Sequence, residues 1–245
     1  MDNSLIEGRN AVLEALRAGM QIDKVFIAKG EIDGTLKAIA SKARAAGAAV
    51  SETDRRKLDS MSITHTHQGV IASVACADYA TIGDILNLAK QRGEDPLVVL
   101  CDEITDPHNL GAIIRTCEAA GAHGVIVPKH RSAGLTATVA KTSSGAVFQT
   151  AVARVTNLRA AIDELKKSGL WVFGASAKGD TTLWQADFKR PSAIVIGAEG
   201  DGISRLVSEN CDYSVNIPMF GKLSSLNASV SAAVLIYEAV RQRTT

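Results

Sequence analysis

The stretch "NIPMFGKLSSLNASVSAAVLIYEAV", residues 216–240, joins a polar loop directly to a helix that is apolar on nearly every side. A surface helix needs only one apolar stripe, so this helix should be buried on most sides. The loop before it contains Pro218, Gly221 and "KLSSLN", and it should be drawn into the interior with the helix. Buried backbone groups need hydrogen-bond partners. The stretch therefore predicts a binding pocket built partly from loop backbone.

Short apolar strands alternate with helices along the rest of the chain. The predicted strands are 24–28, 70–75, 97–102, 124–128, 170–176 and 193–198. The predicted helical segments include 35–47, 81–96 with a polar end, 109–121 and 158–169. Three of them end at a glycine, which closes a helix in the left-handed conformation. Continuous apolar strands alternating with helices predict an α/β protein whose parallel sheet is covered on both faces.

Length and composition are those of a globular protein with one large or two small domains. The chain has 245 residues, of which 46% are hydrophobic and 22% charged. A polar break at 92–96 interrupts the alternation of strands and helices. We predict a smaller N-terminal α/β domain at 1–76, a linker at 77–95 and a larger α/β domain at 96–245. Both domains are long enough to bury a core of their own.

Several classes of protein do not fit this sequence. It has no apolar run long enough to span a bilayer, and "MDNSLIEGRN" lacks the regions of a signal peptide, so we expect a cytoplasmic protein without a membrane partner. The four cysteines form no CxxC pair, which indicates reduced thiols. His65 and His67 have no acidic or cysteine neighbour in sequence, and we predict no metal site. A net charge of +1 leaves nucleic-acid binding to local clusters.

Three loops are rich in Gly, Pro, Asn and Ser, and each follows or precedes a buried element. They are "DEITDPHNLGAIIRTCE" (102–118), "GAEGDGIS" (197–204) and "IPMFGKLSSLNAS" (217–229). Ligands of open parallel sheets bind in the loops at the carboxyl ends of the strands. The three loops are therefore the candidate functional site.

Each loop also has a purely structural interpretation. Asp106 and Pro107 suit the start of a helix, and Asn227 or Ser225 suits the start of the last one. Arg115 could pair with Glu118 one helical turn away. Such roles do not account for the crowding of polar and small residues before a buried helix, whereas a pocket for an adenine and its ribose does.

The loop "GAEGDG" is not a phosphate-binding fingerprint. Its glycines, at 197, 200 and 202, match neither GxGxxG nor the Walker A spacing. Glu199 and Asp201 would repel a polyphosphate. Their carboxylates could also simply be placed favourably near the positive end of the following helix.

Taken in order and spacing, the three loops closely resemble the three signature motifs of the SPOUT superfamily, and more narrowly those of the TrmH family of RNA ribose 2′-O-methyltransferases. The resemblance covers the whole chain, because "IEGRNAVLEAL" (6–16) and "HQGVIA" (67–72) resemble the N-terminal substrate-binding domain of RlmB-type members. It implies a C-terminal parallel-sheet domain knotted as a deep trefoil, a smaller N-terminal RNA-binding domain, and a homodimer. The implied cofactor is S-adenosylmethionine, and the implied partner is RNA rather than DNA, which lacks the 2′-hydroxyl.

The resemblance also implies roles for individual residues. The implied cofactor-binding residues are Ala175, Gly197, Ile217, Met219, Gly221 and Leu226. The implied catalytic residues are Asn109, Arg115, Glu199, Ser225 and Asn227. A guanidinium stays protonated at neutral pH, so we favour Arg115 as an electrostatic stabiliser of the developing oxyanion over Arg115 as the base. Asn109 and Glu199 would position Arg115 and the ribose.

The expected activity is methylation of a guanosine ribose in 23S rRNA. Within the same class, the alternative is a target in tRNA or at another rRNA site. Outside it, the alternatives are an RNA-binding factor that lacks turnover and a nucleotide-binding enzyme that uses "GAEGDG" for phosphate.

Overall fold

The computed structural model of the chain describes residues 5–30 and 33–245. The first four positions, on which part of the expectation about a signal peptide falls, lie outside the described residues. The chain divides into two compact units: one runs up to Asp78 and includes Gly134–Ala137, and the other comprises Tyr79–Ala133 and Thr138–Thr245. In the described part of the chain, no helix combines the length and the apolar character needed to cross a bilayer.

The first unit is a four-stranded sheet with three helices among its described residues. Its elements are β1 (Leu5–Glu7), α1 (Arg9–Arg17), β2 (Ile22–Ala28), α2 (Gly34–Ala45), β3 (Ala49–Thr53), α3 (Arg55–Met61) and β4 (Val70–Val74). The strand order is β1-β4-β2-β3, in which only β2 and β3 run parallel. Apolar residues of β2, β4, α1 and α2 form its core, including Val25, Leu36 and Ile39.

The second unit contains the remaining elements. They are α4 (Ile82–Arg92), β5 (Leu97–Cys101), α5 (Pro107–Ala119), β6 (Gly124–Pro128), α6 (Ala137–Thr142), a 3-10 turn (Ala146–Phe148), β7 (Val152–Val155), α7 (Leu158–Lys167), β8 (Trp171–Ala175), β9 (Thr181–Thr182), β10 (Ser192–Ile196), α8 (Arg205–Ser208), β11 (Tyr213–Asn216) and α9 (Ala228–Thr244). The seven strands form one sheet in the order β7-β6-β5-β10-β8-β11-β9, and every neighbouring pair runs parallel.

The predicted α/β class and parallel sheet are confirmed in the second unit. β5 and β10 are buried along their whole length, as expected for continuous Val, Ile and Leu runs covered on both faces. The domain limits 1–76 and 96–245 stay a prediction. Within the described structure the segment predicted as a linker, 77–95, is mostly α4, whose Ile82 and Ile85 pack into the core of the second unit.

The predicted burial of the last helix and its loop is wrong for the chain as described. α9 buries one stripe, which includes Ala232, Leu235 and Ile236, and contacts α5 and β10 through it. On its other side Val230 and Tyr237 are 46% and 49% exposed. The loop that precedes α9 is also at the surface. The apolar residues of α9 thus lie on two faces of the helix. Within this chain, only one of these faces is packed.

Candidate functional site

A cavity of about 610 Å³ opens where β8, β10 and β11 end. Its wall consists of the loop after β10, the loop before α9, and the residues that follow β8. The lining includes Ala175, Gly197, Glu199, Ile217, Met219, Ser225, Leu226 and Asn227. Five of the six predicted cofactor residues therefore line one cavity, and Gly221 does not. Their assignment to cofactor binding stays a prediction.

The loop after β10, residues 197–204, folds tightly back on itself. Ala198 and Gly202 exchange both backbone hydrogen bonds, at 3.0 and 2.9 Å. A Cβ atom at Gly197 would lie 2.1 Å from the carbonyl carbon of Gly202, so only glycine fits there. The buried Asp102 carboxylate, at the end of β5, accepts a hydrogen bond of 2.7 Å from the Ser204 N–H. The tip of this loop presents Glu199 to the cavity.

The Glu199 carboxylate gathers side chains from all three predicted loops. Its Oε1 accepts a 3.0 Å hydrogen bond from Asn109 Nδ2, a second one from Asn227 Nδ2, and a longer one of 3.4 Å from the Ala228 N–H. Asn227 Nδ2 also donates to Asn109 Oδ1, at 3.0 Å. Three of the five predicted catalytic residues therefore form one cluster, although more than a hundred residues separate the first from the last.

Helix capping fixes two members of this cluster. Asp106 accepts a hydrogen bond from the His108 N–H and, with Pro107 at the first helical position, starts α5 just before Asn109. Asn227 is the N-cap of α9, where its Oδ1 accepts from the Ser229 and Val230 N–H groups. The structural interpretation of Asn227 is thus correct, and its amide nitrogen remains available to bind Glu199.

Arg115 and Ser225 do not join the cluster. Arg115 is exposed and forms no ion pair or hydrogen bond with the other described residues, so the pair with Glu118 does not form. It lies six residues after Asn109, which places it roughly 120° away around α5. Asn109 and Glu199 therefore bind each other and leave Arg115 free. The Ser225 side chain is exposed at the cavity.

Several lining residues had no sequence signal. Ser176 and Lys178 follow β8, and Ser231 lies in the first turn of α9. Serine and lysine are common on any surface, and no motif singled these positions out. Only the parallel pairing of β8 with β10 and β11 brings the loop after β8 to the cavity.

Two cysteines and one histidine outside the cavity lining have pKa values shifted by burial. Burial raises the pKa of Cys101 to about 12 and of Cys211 to about 11, which keeps both thiols protonated and unreactive at neutral pH. Burial also lowers the pKa of His123, whose Nδ1 accepts from the Leu97 N–H at 3.0 Å. Within residues 5–30 and 33–245, no three His, Cys, Asp or Glu side chains converge as metal ligands would.

Lys129 and Arg131 form a local basic pair, but they are a weak candidate for RNA contact. Arg131 forms a 2.8 Å ion pair with Glu103, so part of its charge is neutralised. Burial and the neighbouring Arg154 lower the pKa of Lys129. A second cavity of about 320 Å³ lies beside Arg131 and contains none of the predicted site residues.

The second unit is thus an α/β domain with a cavity of small-molecule size at the carboxyl ends of its parallel strands. Residues 96–237 match the SpoU rRNA Methylase family, and residues 5–80 match the family described as RNA 2′-O ribose methyltransferase substrate binding. The chain belongs to the SpoU methylase family, and it is an RNA methyltransferase of the TrmH/SpoU type.

Individual relatives agree with this assignment. The chain is 44% identical over 236 residues to a putative TrmH family tRNA/rRNA methyltransferase, YacO, of Bacillus subtilis strain 168, covering 96% of this chain and 94% of the relative. The SpoU methyltransferase AviRb of Streptomyces viridochromogenes, solved with AdoMet, has a TM-score of 0.62 at 29% identity, over 98% of this chain and 90% of that one. An AdoMet-bound rRNA methyltransferase of Sinorhizobium meliloti has a TM-score of 0.59 at 25% identity, over 97% and 87%. S-adenosylmethionine is the cofactor.

Proposed function

We propose that this protein methylates the 2′-hydroxyl of a ribose in RNA, and that the target is a guanosine of 23S rRNA. The cluster of Asn109, Glu199 and Asn227 beside the cavity carries the proposal, because it holds a carboxylate in place at a cavity of cofactor size. The match of residues 5–80 to a substrate-binding family of ribose 2′-O-methyltransferases supports ribose as the methylated group.

The cavity suits the cofactor in size and chemistry. Its volume of about 610 Å³ falls within the range of small-molecule sites. Gly197 borders the cavity where the loop folds back on itself, while Ile217, Met219 and Leu226 provide apolar contacts for an adenine. We propose that these residues and the backbone at Ala175 hold S-adenosylmethionine, which supplies an electrophilic methyl group on a sulfonium.

The ribose hydroxyl is a poor nucleophile until it loses its proton. In the cluster, Glu199 Oε1 is occupied by amide donors, whereas Oε2 accepts no hydrogen bond from the described residues. We propose that Oε2 accepts the hydroxyl hydrogen and orients the ribose, and that Asn109 and Asn227 hold the carboxylate in place. Arg115, exposed and unpaired, would stabilise negative charge on the RNA, and Ser225 would contact the target strand.

One comparison favours an rRNA target over a tRNA target, because it extends over nearly the whole chain. The rRNA methyltransferase of Sinorhizobium meliloti matches this chain over 97% of its length, so the likeness includes the region of the first unit. The Bacillus subtilis relative carries the description tRNA/rRNA, and a tRNA target therefore remains the second candidate.

We also propose that the protein is a cytoplasmic homodimer with a trefoil-knotted second unit. The half-exposed side of α9, with Val230 and Tyr237, offers an apolar surface for a second copy. Mass measurement in solution tests the dimer: a monomer at micromolar concentration would contradict it.

The decisive experiment maps 2′-O-methyl groups on total RNA from a strain that lacks this gene and from its parent. Loss of one methyl group from a 23S rRNA guanosine is the expected result. Loss at a tRNA site would keep the activity and change the substrate. If no mark disappears and the purified protein transfers no labelled methyl group, the protein is an RNA-binding factor. Binding of ATP without binding of S-adenosylmethionine would instead indicate the nucleotide-binding enzyme.

A further inference from the structure

Two aromatic side chains near the cavity are exposed and almost parallel. Trp184 is 60% exposed and Phe220 is 88% exposed. Their ring planes differ by 19°, and their centroids are 6.4 Å apart. By contrast, Phe173 and Phe188 in the core approach to 4.7 Å and are fully buried. Core packing therefore does not explain the positions of Trp184 and Phe220, which we call the aromatic pair.

The aromatic pair belongs to segments that form the cavity. Phe220 directly follows Met219, which lines the cavity, and lies in the same loop as Ser225. Trp184 lies two residues after β9, and β9 pairs with β11, the strand that leads into that loop. The pair is therefore near the place where we propose that the target ribose is methylated.

Two lysines lie close to the pair in sequence. Lys178, at the cavity, and Lys222, two residues after Phe220, are exposed, and neither forms an ion pair with the other described residues. Phosphates of RNA attract such lysines, while unpaired bases stack on exposed aromatic rings. Aromatic rings combined with unpaired cations fit a nucleic-acid strand better than an apolar protein surface.

We propose that Trp184 and Phe220 form a stacking platform for an unpaired base of the RNA substrate, and that Lys178 and Lys222 bind its flanking phosphates. The inference rests on the proposed function, since it assigns the platform to the same RNA strand. The platform would be a substrate contact in addition to the predicted catalytic residues. It requires the base to be unpaired when bound.

Tryptophan fluorescence reports on the platform directly, because the chain has two tryptophans, Trp171 and Trp184. A Trp171→Phe variant leaves Trp184 as the single emitter. A short oligoadenosine strand should quench its emission, and the same strand annealed to oligouridine should quench it far less. If saturating single-stranded RNA leaves the emission of Trp184 unchanged, the platform does not exist.

Substitution of Phe220 tests its contribution to turnover. Phe220→Ala should raise the KM for RNA from the deletion strain about tenfold, the effect of removing one stacking ring, while Phe220→Tyr restores it. The affinity for S-adenosylmethionine, measured by calorimetry, should not change. Phe148→Ala is the matched control, since Phe148 is an exposed phenylalanine elsewhere in the second unit.

The outcomes separate this inference from the proposed function. An unchanged KM for Phe220→Ala, while the wild type methylates a ribose, would overturn the platform alone. Methylation of a base atom by the wild type would overturn the proposed function whatever the variant does. A change of oligomeric mass in Phe220→Ala would assign the pair to a protein interface and overturn the platform.

Discussion

The two loops that line the cavity are held in very different ways. The loop at 197–204 is closed by paired backbone hydrogen bonds and tied to β5 through Asp102. Residues 218–226 of the other loop form no hydrogen bond with the rest of the described chain, and Phe220 and Leu223 are 88% and 75% exposed. We call them the closed loop and the open loop. The closed loop fixes the Glu199 carboxylate, while an open loop can adapt to what binds it.

The largest effect should follow from a change in the closed loop that keeps its shape. Glu199→Gln removes the charge that would accept the ribose proton, and kcat should fall roughly 10²–10³-fold. Single-turnover methyl transfer measures this directly. Glu118→Gln, an exposed carboxylate on α5, should keep wild-type turnover. A kcat for Glu199→Gln within threefold of wild type would rule out the proposed role.

A pair of glycine substitutions compares the stability of the two loops. Gly197→Ala would force a Cβ against the Gly202 backbone, whereas a Cβ at Gly221 would meet no atom within 4 Å apart from its chain neighbours. Gly197→Ala should destabilise the protein by about 1–3 kcal/mol, as overpacking does. Thermal melts should show Tm lower by roughly 5 °C, given the size of the chain. Gly221→Ala should melt like the wild type. Equal losses for both variants would show that the open loop is as tightly packed as the closed one.

The junction between the loops should give a smaller effect. Asn227→Ala removes the N-cap of α9, which stabilises a helix by about 1 kcal/mol. Chemical denaturation should report this loss. Ser225→Ala should leave the free energy of unfolding unchanged, because Ser225 makes no hydrogen bond within the described chain. If Ser225→Ala destabilises the protein as much as Asn227→Ala does, then Ser225 also supports the fold.

Hydrogen exchange should give the smallest and most local difference. The addition of S-adenosylmethionine should slow exchange in 218–226 by a few-fold, since the open loop has no internal hydrogen bonds to break. Exchange in the closed loop should change less, because its amides are already bonded. If S-adenosylmethionine slowed exchange more in the closed loop than in the open loop, the open loop would not be the more adaptable of the two.

Much of the fold could be predicted because some segments carry one consistent pattern. "GVIVP" was predicted at 124–128 and forms β6 over the same residues, as expected for a run of buried apolar side chains. β7 was missed because Arg154 interrupts "VARV"; its guanidinium stacks on Tyr79, with 4.1 Å from the carbon to the ring centroid. β11 was missed because "YSVN" alternates and is only partly buried.

The site could also be predicted in part from the pattern of the sequence. Loops at the carboxyl ends of parallel strands meet, so the three loops can be grouped from the sequence pattern. The choice of Asn109, Glu199 and Asn227 within them follows from the family resemblance. The separation of Arg115 from Asn109 is contained in their six-residue spacing, a turn of roughly 120° around α5, although the family resemblance grouped the two residues. The exposure of the open loop could not be predicted, since the apolar residues of α9 do not reveal which face the same chain covers.

The placement of β10 in the sheet affects how the chain is made. Ser192 of β10 pairs with Leu97 of β5 on one side and with Trp171 of β8 on the other. A ribosome must therefore complete most of the second unit before its central strand can enter the sheet. Until then, β5, β6 and β7 can pair with one another, but β5 keeps an unpaired edge and β8 has no partner, since β11 is made later still. Contacts this distant in sequence slow folding, and strand edges that stay unpaired can aggregate. Synthesis at high temperature or without chaperones should therefore lower the yield of folded protein.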